Sequence, residues 1–460
     1  MRKVDRLDQL PTVGDALART DGREVVVLRP LGTVTKTSSA QSQQGPQGPL
    51  NICWDTDTGE LIGIRNGRLV ASPEQARANR WALKSVVNKI LPQSRTSACM
   101  RLRAPVQGGT LADIEILKGV HKKAFYQGLY TCGRVWHCPV CAAKISERRR
   151  QELKDALAAA EQQGMRIHFV TLTIRHGIGD DINELNSKLS VALGKLSSGR
   201  ASIKNQIREM CPQFEQYGYI RAFEVTHGNE NGFHPHYHLI VFTSAGMSSK
   251  LLQTIYYRAW KRACFLAELP EPSMQHGVTV KNGSKAAKYA TKWGLEDEMT
   301  KAHTKQTRRK GATPWGLLRA ALDGDDPEYP PQRATALFRV YAEAFAGRRQ
   351  LYWSNGLRKL LQLSKELTDE ELANAPEDER SSLLATLTTE QWRAIRRFRQ
   401  EAHILTVAEA NAELLPVVIA RLVERAACLG GPDGAPSGGV SPATAKRGSP
   451  LLDPPRLEDD

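Results

Sequence analysis

The chain is short of several things, and each shortage narrows its possible roles. Its 460 residues contain no run of eighteen apolar side chains, so no membrane-spanning helix and no membrane partner is expected. Met1 to Asp21 alternates charge with apolar residues and offers no apolar core for an export signal. Without export, the eight cysteines are expected to be thiols of a reducing bacterial cytoplasm. Close cysteine pairs there bind metal more often than they form disulfides. Internal repeats are missing as well. Acidic residues are in deficit, with 49 Asp and Glu against 64 Lys and Arg, a net charge of +15.

That excess favours a polyanion partner, because each phosphate contact releases condensed counterions. It is also clustered. Residues 81–150 hold thirteen Lys and Arg against three acids, and residues 281–310 hold nine against three.

Residues 1–90 read as an accessory N-terminal region. It has a β-like run at Glu24–Leu28, a flexible Ser/Gln/Gly/Pro linker over 37–49, and a helix starting at Pro73 and reaching about Ile90. Residues 91–160 carry half of the cysteines, in a zinc-type module, and a basic helix. Over 161–300 the patterning predicts a strand at Arg166–Arg175, a helix over 181–210 and strands at Tyr217–Thr226 and His234–Thr243. A helix at Ser249–Ala267 and a strand at Val278–Lys281 follow, then a helix capped by Ser284. This β-α-β-β-α-β order predicts an α+β fold with a ferredoxin-like (RRM-like) antiparallel sheet and packed helices. Residues 301–428 are expected to be mostly helical, with possible DNA binding, and residues 429–460 to form a disordered tail.

Strand residues two apart share a face, so His234, His236 and His238 project together while Tyr237, Leu239 and Val241 bury on the other side. Two such imidazoles make a rigid clamp for a divalent metal, and Glu224 on the preceding strand is placed to complete it. His234 is left as a ligand, a phosphate contact or simply a polar residue, since Pro235 is expected to perturb the strand. Farther on, Tyr289 and Lys292 share a helix face with Lys285, and Lys288 lies beside them. A phenol is a poor nucleophile at neutral pH. Neighbouring ammonium groups ease phenolate formation and offset charge on an attacked phosphate.

Cys132, Cys138 and Cys141, with Cys99 upstream, supply four thiolates for a closed structural zinc, and His137 is an alternative ligand. Arg148-Arg149-Arg150 suits either phosphate contact or a solvated helix face. Arg348 and Arg349, beside Tyr352 and Trp353, suit DNA contact with stacking or the core of a helix-turn-helix. The Arg-rich Trp392–Arg399 block is a candidate for duplex binding. Tyr256 and Tyr257 read as core packing.

His236-Tyr237-His238 resembles the His-hydrophobic-His motif of the HUH endonuclease superfamily, in particular its plasmid rolling-circle replication initiators. Phe169-Val170-Thr171-Leu172-Thr173 is similar to their first motif, Cys132–Ile145 to their zinc-type region, and Tyr289-Ala290-Thr291-Lys292 to their tyrosine helix. The segment Gly347–Leu357 is similar to one that follows these motifs. The resemblance covers roughly residues 99–360. It implies Mg²⁺ or Mn²⁺ at His236, His238 and Glu224, a structural Zn²⁺, and attack by Tyr289 to leave a 5′-phosphotyrosine and a 3′-hydroxyl primer. It also implies single-stranded and origin duplex DNA as partners, together with host helicase and polymerase. The chain departs from some relatives in carrying Lys285 where an acidic residue precedes the nucleophile, leaving Glu296 or Asp297 as candidate activators of water in termination. A transposase of the same superfamily and a non-catalytic, zinc-stapled DNA-binding regulator are the alternative readings.

Overall fold

The computed structural model describes residues 17–20, 23–27, 51–55, 61–65, 68–71 and 73–429, apart from 107, 200–201, 284–285, 287–310 and 377–379. The linker 37–49, Ser284 and the 429–460 tail beyond residue 429 therefore fall outside the described residues. Strands β1 (Leu17–Thr20), β2 (Arg23–Val27), β3 (Asn51–Asp55), β4 (Leu61–Arg65) and β5 (Arg68–Ala71) pair in sequence order as an antiparallel sheet. Helix α1 spans Pro73–Ile90, with proline at its start, where a missing N–H costs nothing. A hairpin of β6 (Ile114–Gly119) and β7 (Ala124–Gln127) precedes the long helix α2, Pro139–Gln162.

The central unit follows as β8 (Arg166–Leu172), α3 (Ile182–Ser197), α4 (Ile203–Met210), β9 (Gln216–Gly228), β10 (Gly232–Thr243), α5 (Ser249–Leu266) and β11 (Val278–Asn282). The helix expected over 181–210 is in fact two. Ser198 is extended and Gly199 takes a φ of +77°, while Ser202 restarts the chain by accepting from Asn205 N–H. After residue 310 come α6 (Pro314–Asp323), α7 (Pro331–Ala344), β12 (Leu351–Trp353), α8 (Asp369–Asn374), β13 (Ser381–Leu387), α9 (Thr389–Arg397), α10 (Glu401–Ala410) and α11 (Leu415–Cys428). The sheet order β11-β8-β10-β9-β12, all antiparallel, is the ferredoxin-like arrangement with β12 added at one edge. Among the described residues no helix is long and apolar enough to cross a membrane.

The two faces of this sheet divide the work. Val170, Leu172, Phe223, Val225, Tyr237, Leu239 and Val241 bury against α3 and α5 in the larger core, each contributing about 1.5–3 kcal/mol. Tyr256 is part of that core, its hydroxyl donating to Gln216 Oε1 at 3.0 Å, and Tyr257 donates to the Pro272 carbonyl. On the opposite face Ile167, Phe169, Ile220, Ala222, Ile240 and Phe242 meet Leu153, Ala156, Leu157 and Ala160 of α2. This apolar half leaves the other end of the same face to polar residues. His168 shows how a structural histidine looks here: fully buried, bonded to Ser249 Oγ and Thr243 Oγ1, and pushed down to about 4 by burial.

Two expectations need correction. Gly347–Leu357 is not a helix-turn-helix: Leu351–Trp353 pairs with β9 as the edge strand, Trp353 is buried, and Arg358 lies 4.5 Å over its ring. Among the described residues after 310, the helices are accompanied by β13, which pairs with β6 to form the sheet β13-β6-β7. Arg148–Arg150 is not one solvated face, because Arg149 is buried. It is paired with Glu152, Asp369 and Glu366, while Arg148 donates to the Ala375 and Pro376 carbonyls and Arg150 pairs at the surface with Glu147. Arg149 looks like its neighbours until Glu366 and Asp369, far along the chain, are placed.

Candidate functional site

Strand alternation places His234, His236 and His238 on the face that α2 leaves uncovered, and register sets His236 directly opposite Glu224. Both imidazoles turn Nε2 toward one carboxylate oxygen, His236 at 3.5 Å and His238 at 3.4 Å from Glu224 Oε2. The other ring nitrogens are engaged. His236 Nδ1 donates to the His234 carbonyl at 3.1 Å, and His238 Nδ1 meets the Thr171 hydroxyl at 3.0 Å. A carbonyl only accepts, so neutral His236 carries its proton on Nδ1 and keeps the Nε2 lone pair free. Phe169 stacks against the His238 ring. Burial works to raise the Glu224 pKa, but the His236 and His238 imidazoles, which donate to it when protonated, hold its carboxyl well below the usual range.

One ligand atom from each of the three lies within 4.8 Å of the others. Ligands about 2.1 Å from a shared cation stand about 3–3.5 Å apart, so this donor set fits a divalent ion. Glu224 retains 35% side-chain exposure, which leaves the centre open on one side to a substrate.

Pro235 does not perturb the strand. β10 pairs with β9 continuously from Gly232 through Phe242, and its pairing with β8 starts only at Tyr237, so no β8 partner lies opposite Pro235. His234 stands outside the three-ligand group. Its Nδ1 meets His176 Nε2 at 2.5 Å, while His176 Nδ1 donates to the Asn231 carbonyl at 2.8 Å. Burial and the neighbouring imidazoles push His234 down to about 3, so it is neutral. His176 is absent from the sequence reading. It sits in the loop after β8, where no periodicity signals its reach. The loop folds onto the β9–β10 hairpin because Gly232, at φ +69°, has no side chain: a Cβ there would stand 3.2 Å from Ile178 Cα.

Cys99, Cys132, Cys138 and Cys141 come together with no solvent exposure. Their sulfurs are 3.5 Å (Cys99–Cys141), 3.7 Å (Cys132–Cys141) and 3.7 Å (Cys138–Cys99) apart. Four thiolates about 2.3 Å from a central zinc stand about 3.8 Å from one another, so the donor set fits that ion. Cys138 is the N-cap of α2 and Cys141 lies in its first turn, where the helix dipole favours thiolate. Burial first, then the neighbouring thiols, pushes the Cys138 thiol up, a penalty that a cation removes. His137 is not among the four. It is buried, its pKa lowered by desolvation, and its Nε2 has no hydrogen-bond partner. Gly133, at φ +63°, lets the knuckle press on α8, since a Cβ would stand 2.6 Å from Glu370 Cγ.

Tyr289, Lys292, Lys285, Lys288, Glu296 and Asp297 lie outside the described residues. Ala286, three residues before Tyr289, is fully buried in the apolar cluster between α2 and the central sheet. Arg348 is half-buried, its Nε donating to the Ala344 carbonyl while its own carbonyl accepts from Trp136 Nε1. Arg349 is exposed, 6.0 Å over the Tyr352 ring.

The model of a family described as "Replication protein" matches residues 125–402. A protein named "Protein rep" from Streptomyces lividans is 27% identical over 352 residues, covering 62% of this chain and 76% of that protein. A "Neomycin resistance protein" from Streptomyces cyanogenus is 32% identical over 133 residues, covering 25% of this chain and 30% of its own length. A "Protein rep" from Streptococcus pneumoniae serotype 2 is 27% identical over 161 residues, 33% of this chain and 46% of that protein. The chain thus spans most of the first relative and less than half of the other two. No solved structure matches.

Proposed function

We propose that this chain, which belongs to the replication protein family, initiates rolling-circle replication of a plasmid by nicking one DNA strand at an origin. The observation that carries the reading is the convergence of His236 and His238 Nε2 on Glu224, with each Nδ1 turned to a different partner. Glu224, His236 and His238 would hold Mg²⁺ or Mn²⁺, which supplies Lewis-acid polarisation of the scissile phosphate.

Tyr289 is the nucleophile in this reading. Its oxygen gives up the phenolic proton and forms a bond to phosphorus while the bond to the 3′ oxygen breaks. That oxygen takes up a proton in exchange and leaves as a hydroxyl. Lys292 offsets charge on the phosphate oxygens, and Lys285 and Lys288 hold the flanking backbone. Buried Ala286 supports the assignment, since it anchors the chain between α2 and the central sheet three residues before Tyr289. The free 3′-hydroxyl primes synthesis by host helicase and polymerase, and the stored phosphodiester permits rejoining without a nucleotide cofactor. Exposed Arg349 contributes a contact to single-stranded or duplex origin DNA; half-buried Arg348 shapes the turn beside it. The four cysteines hold Zn²⁺ as a structural staple.

Tyr289→Phe should abolish both nicking of an origin oligonucleotide and covalent attachment to it, read on a denaturing gel, while leaving DNA binding intact. Nicking that persists, with another tyrosine labelled, would falsify the assignment.

A further inference from the structure

Between α1 and the turn joining α9 to α10 lies a cavity of about 330 Å³, and none of its lining comes from the central sheet. Its walls are unevenly charged. Lys84 is only 2% exposed, and its hydrogen-bond partners, Asn88 Oδ1 and the Thr96 carbonyl, are both neutral. A buried ammonium with neutral partners projects positive potential into the space beside it. Arg101, Arg396 and Arg399 line the same cavity.

Glu401 is the one carboxyl in the lining, and burial pushes it up to about 7 against the pull of Arg396, Lys84 and Arg399. Near neutral pH it is therefore about half protonated, which weakens its opposition to an incoming anion. The remaining wall is mixed, with Trp81 and Met100 beside the polar Ser85, Asn88 and His403 and beside Cys99 of the cysteine group. Two lining residues, Met100 at φ +56° and Arg399 at φ +55°, hold the left-handed backbone that favours glycine, a conformation that collects at ligand sites. The volume is at the lower end of small-molecule sites, which run from about 300 Å³. It suits one nucleotide, with a phosphate for the cations and a flat base for Trp81.

We propose that this cavity is a nucleotide subsite separate from the histidine face, with Lys84, Arg101 and Arg399 receiving a phosphate and Trp81 the base. The nucleotide comes from a DNA strand or from a free nucleoside phosphate, and the subsite does not depend on Tyr289 or on the metal centre.

The test uses the full chain with two probes, a labelled single-stranded thymidine oligonucleotide followed by anisotropy and free thymidine monophosphate followed by calorimetry. Arg399→Gly keeps the backbone at ease while removing the guanidinium, and Arg101→Ala removes the second one. Zinc content and thermal melting establish that each variant is folded. Each should weaken binding about tenfold, the loss of one charge-assisted hydrogen bond, and lower the salt slope for the strand by about 0.7. A loss confined to the oligonucleotide assigns the subsite to a strand, and a loss for the monophosphate assigns it to a free nucleotide. Arg262, exposed on α5 and outside the cavity, is the control. Unchanged affinity for both probes in Arg399→Gly and Arg101→Ala overturns the proposal, as does an equal loss in Arg262→Ala.

Discussion

Four cysteines at the start of α2 and the Glu224–His236–His238 group on the central sheet both gather their ligand atoms within 4.8 Å, yet they are walled differently. The sulfurs are fully buried, come from three separate segments and leave no side open. The nitrogens and the carboxylate come from two adjacent strands and keep 12%, 16% and 35% side-chain exposure. A closed tetrahedral set ties distant segments together, whereas an open one keeps a coordination position for a substrate. The partners differ in the same sense. The cysteines lie among core side chains, while the histidines have their second nitrogens fixed by Thr171 and a backbone carbonyl, the arrangement that sets ring direction and basicity.

The largest effect expected from breaking this contrast lies on the cysteine side. Cys138→Ser should lose one equivalent of zinc by metal analysis and, with it, folding free energy on the order of 10 kcal/mol, comparable to the whole stability of a domain. A variant that lacks zinc but melts with the parent would show the staple to be dispensable. On the histidine side His238→Ala should melt like the parent, because the ring is partly exposed, while nicking falls by roughly 10²–10³-fold. If its melting collapsed instead, the open centre would be structural too. The smallest effect belongs to His176→Ala, which frees His234 without touching a ligand. Mn²⁺ affinity, read by electron paramagnetic resonance, should drop about 10–100-fold, with recovery in His176→Gln, and an unchanged affinity would confine His176 to holding the loop.

Much of this was legible along the chain. The alternation at 234–243 foretold which side chains bury and which project, and the strand order foretold the ferredoxin-like sheet, because both depend on periods of a few residues. Glu224 could be placed opposite the histidines because a tight turn leaves a hairpin little freedom of register. The reading missed what depends on distant segments. β13 looks unremarkable until β6 offers an edge, Arg149 looks exposed until Glu366 and Asp369 arrive, and His176 acts through a loop with no period.

By itself, then, the sequence determined the Glu224–His236–His238 group, the sheet that carries it and the helix start that carries two of the four cysteines. These are local: strand alternation, hairpin register and a helix N-terminus are set by neighbouring peptide units. Only the tertiary structure decided that Cys99 closes the cysteine group, that His137 stays out of it, and that Arg149 of α2 is spent on internal ion pairs. Those outcomes depend on which residues far apart in the chain share a desolvated space, and that is settled by packing rather than by spacing.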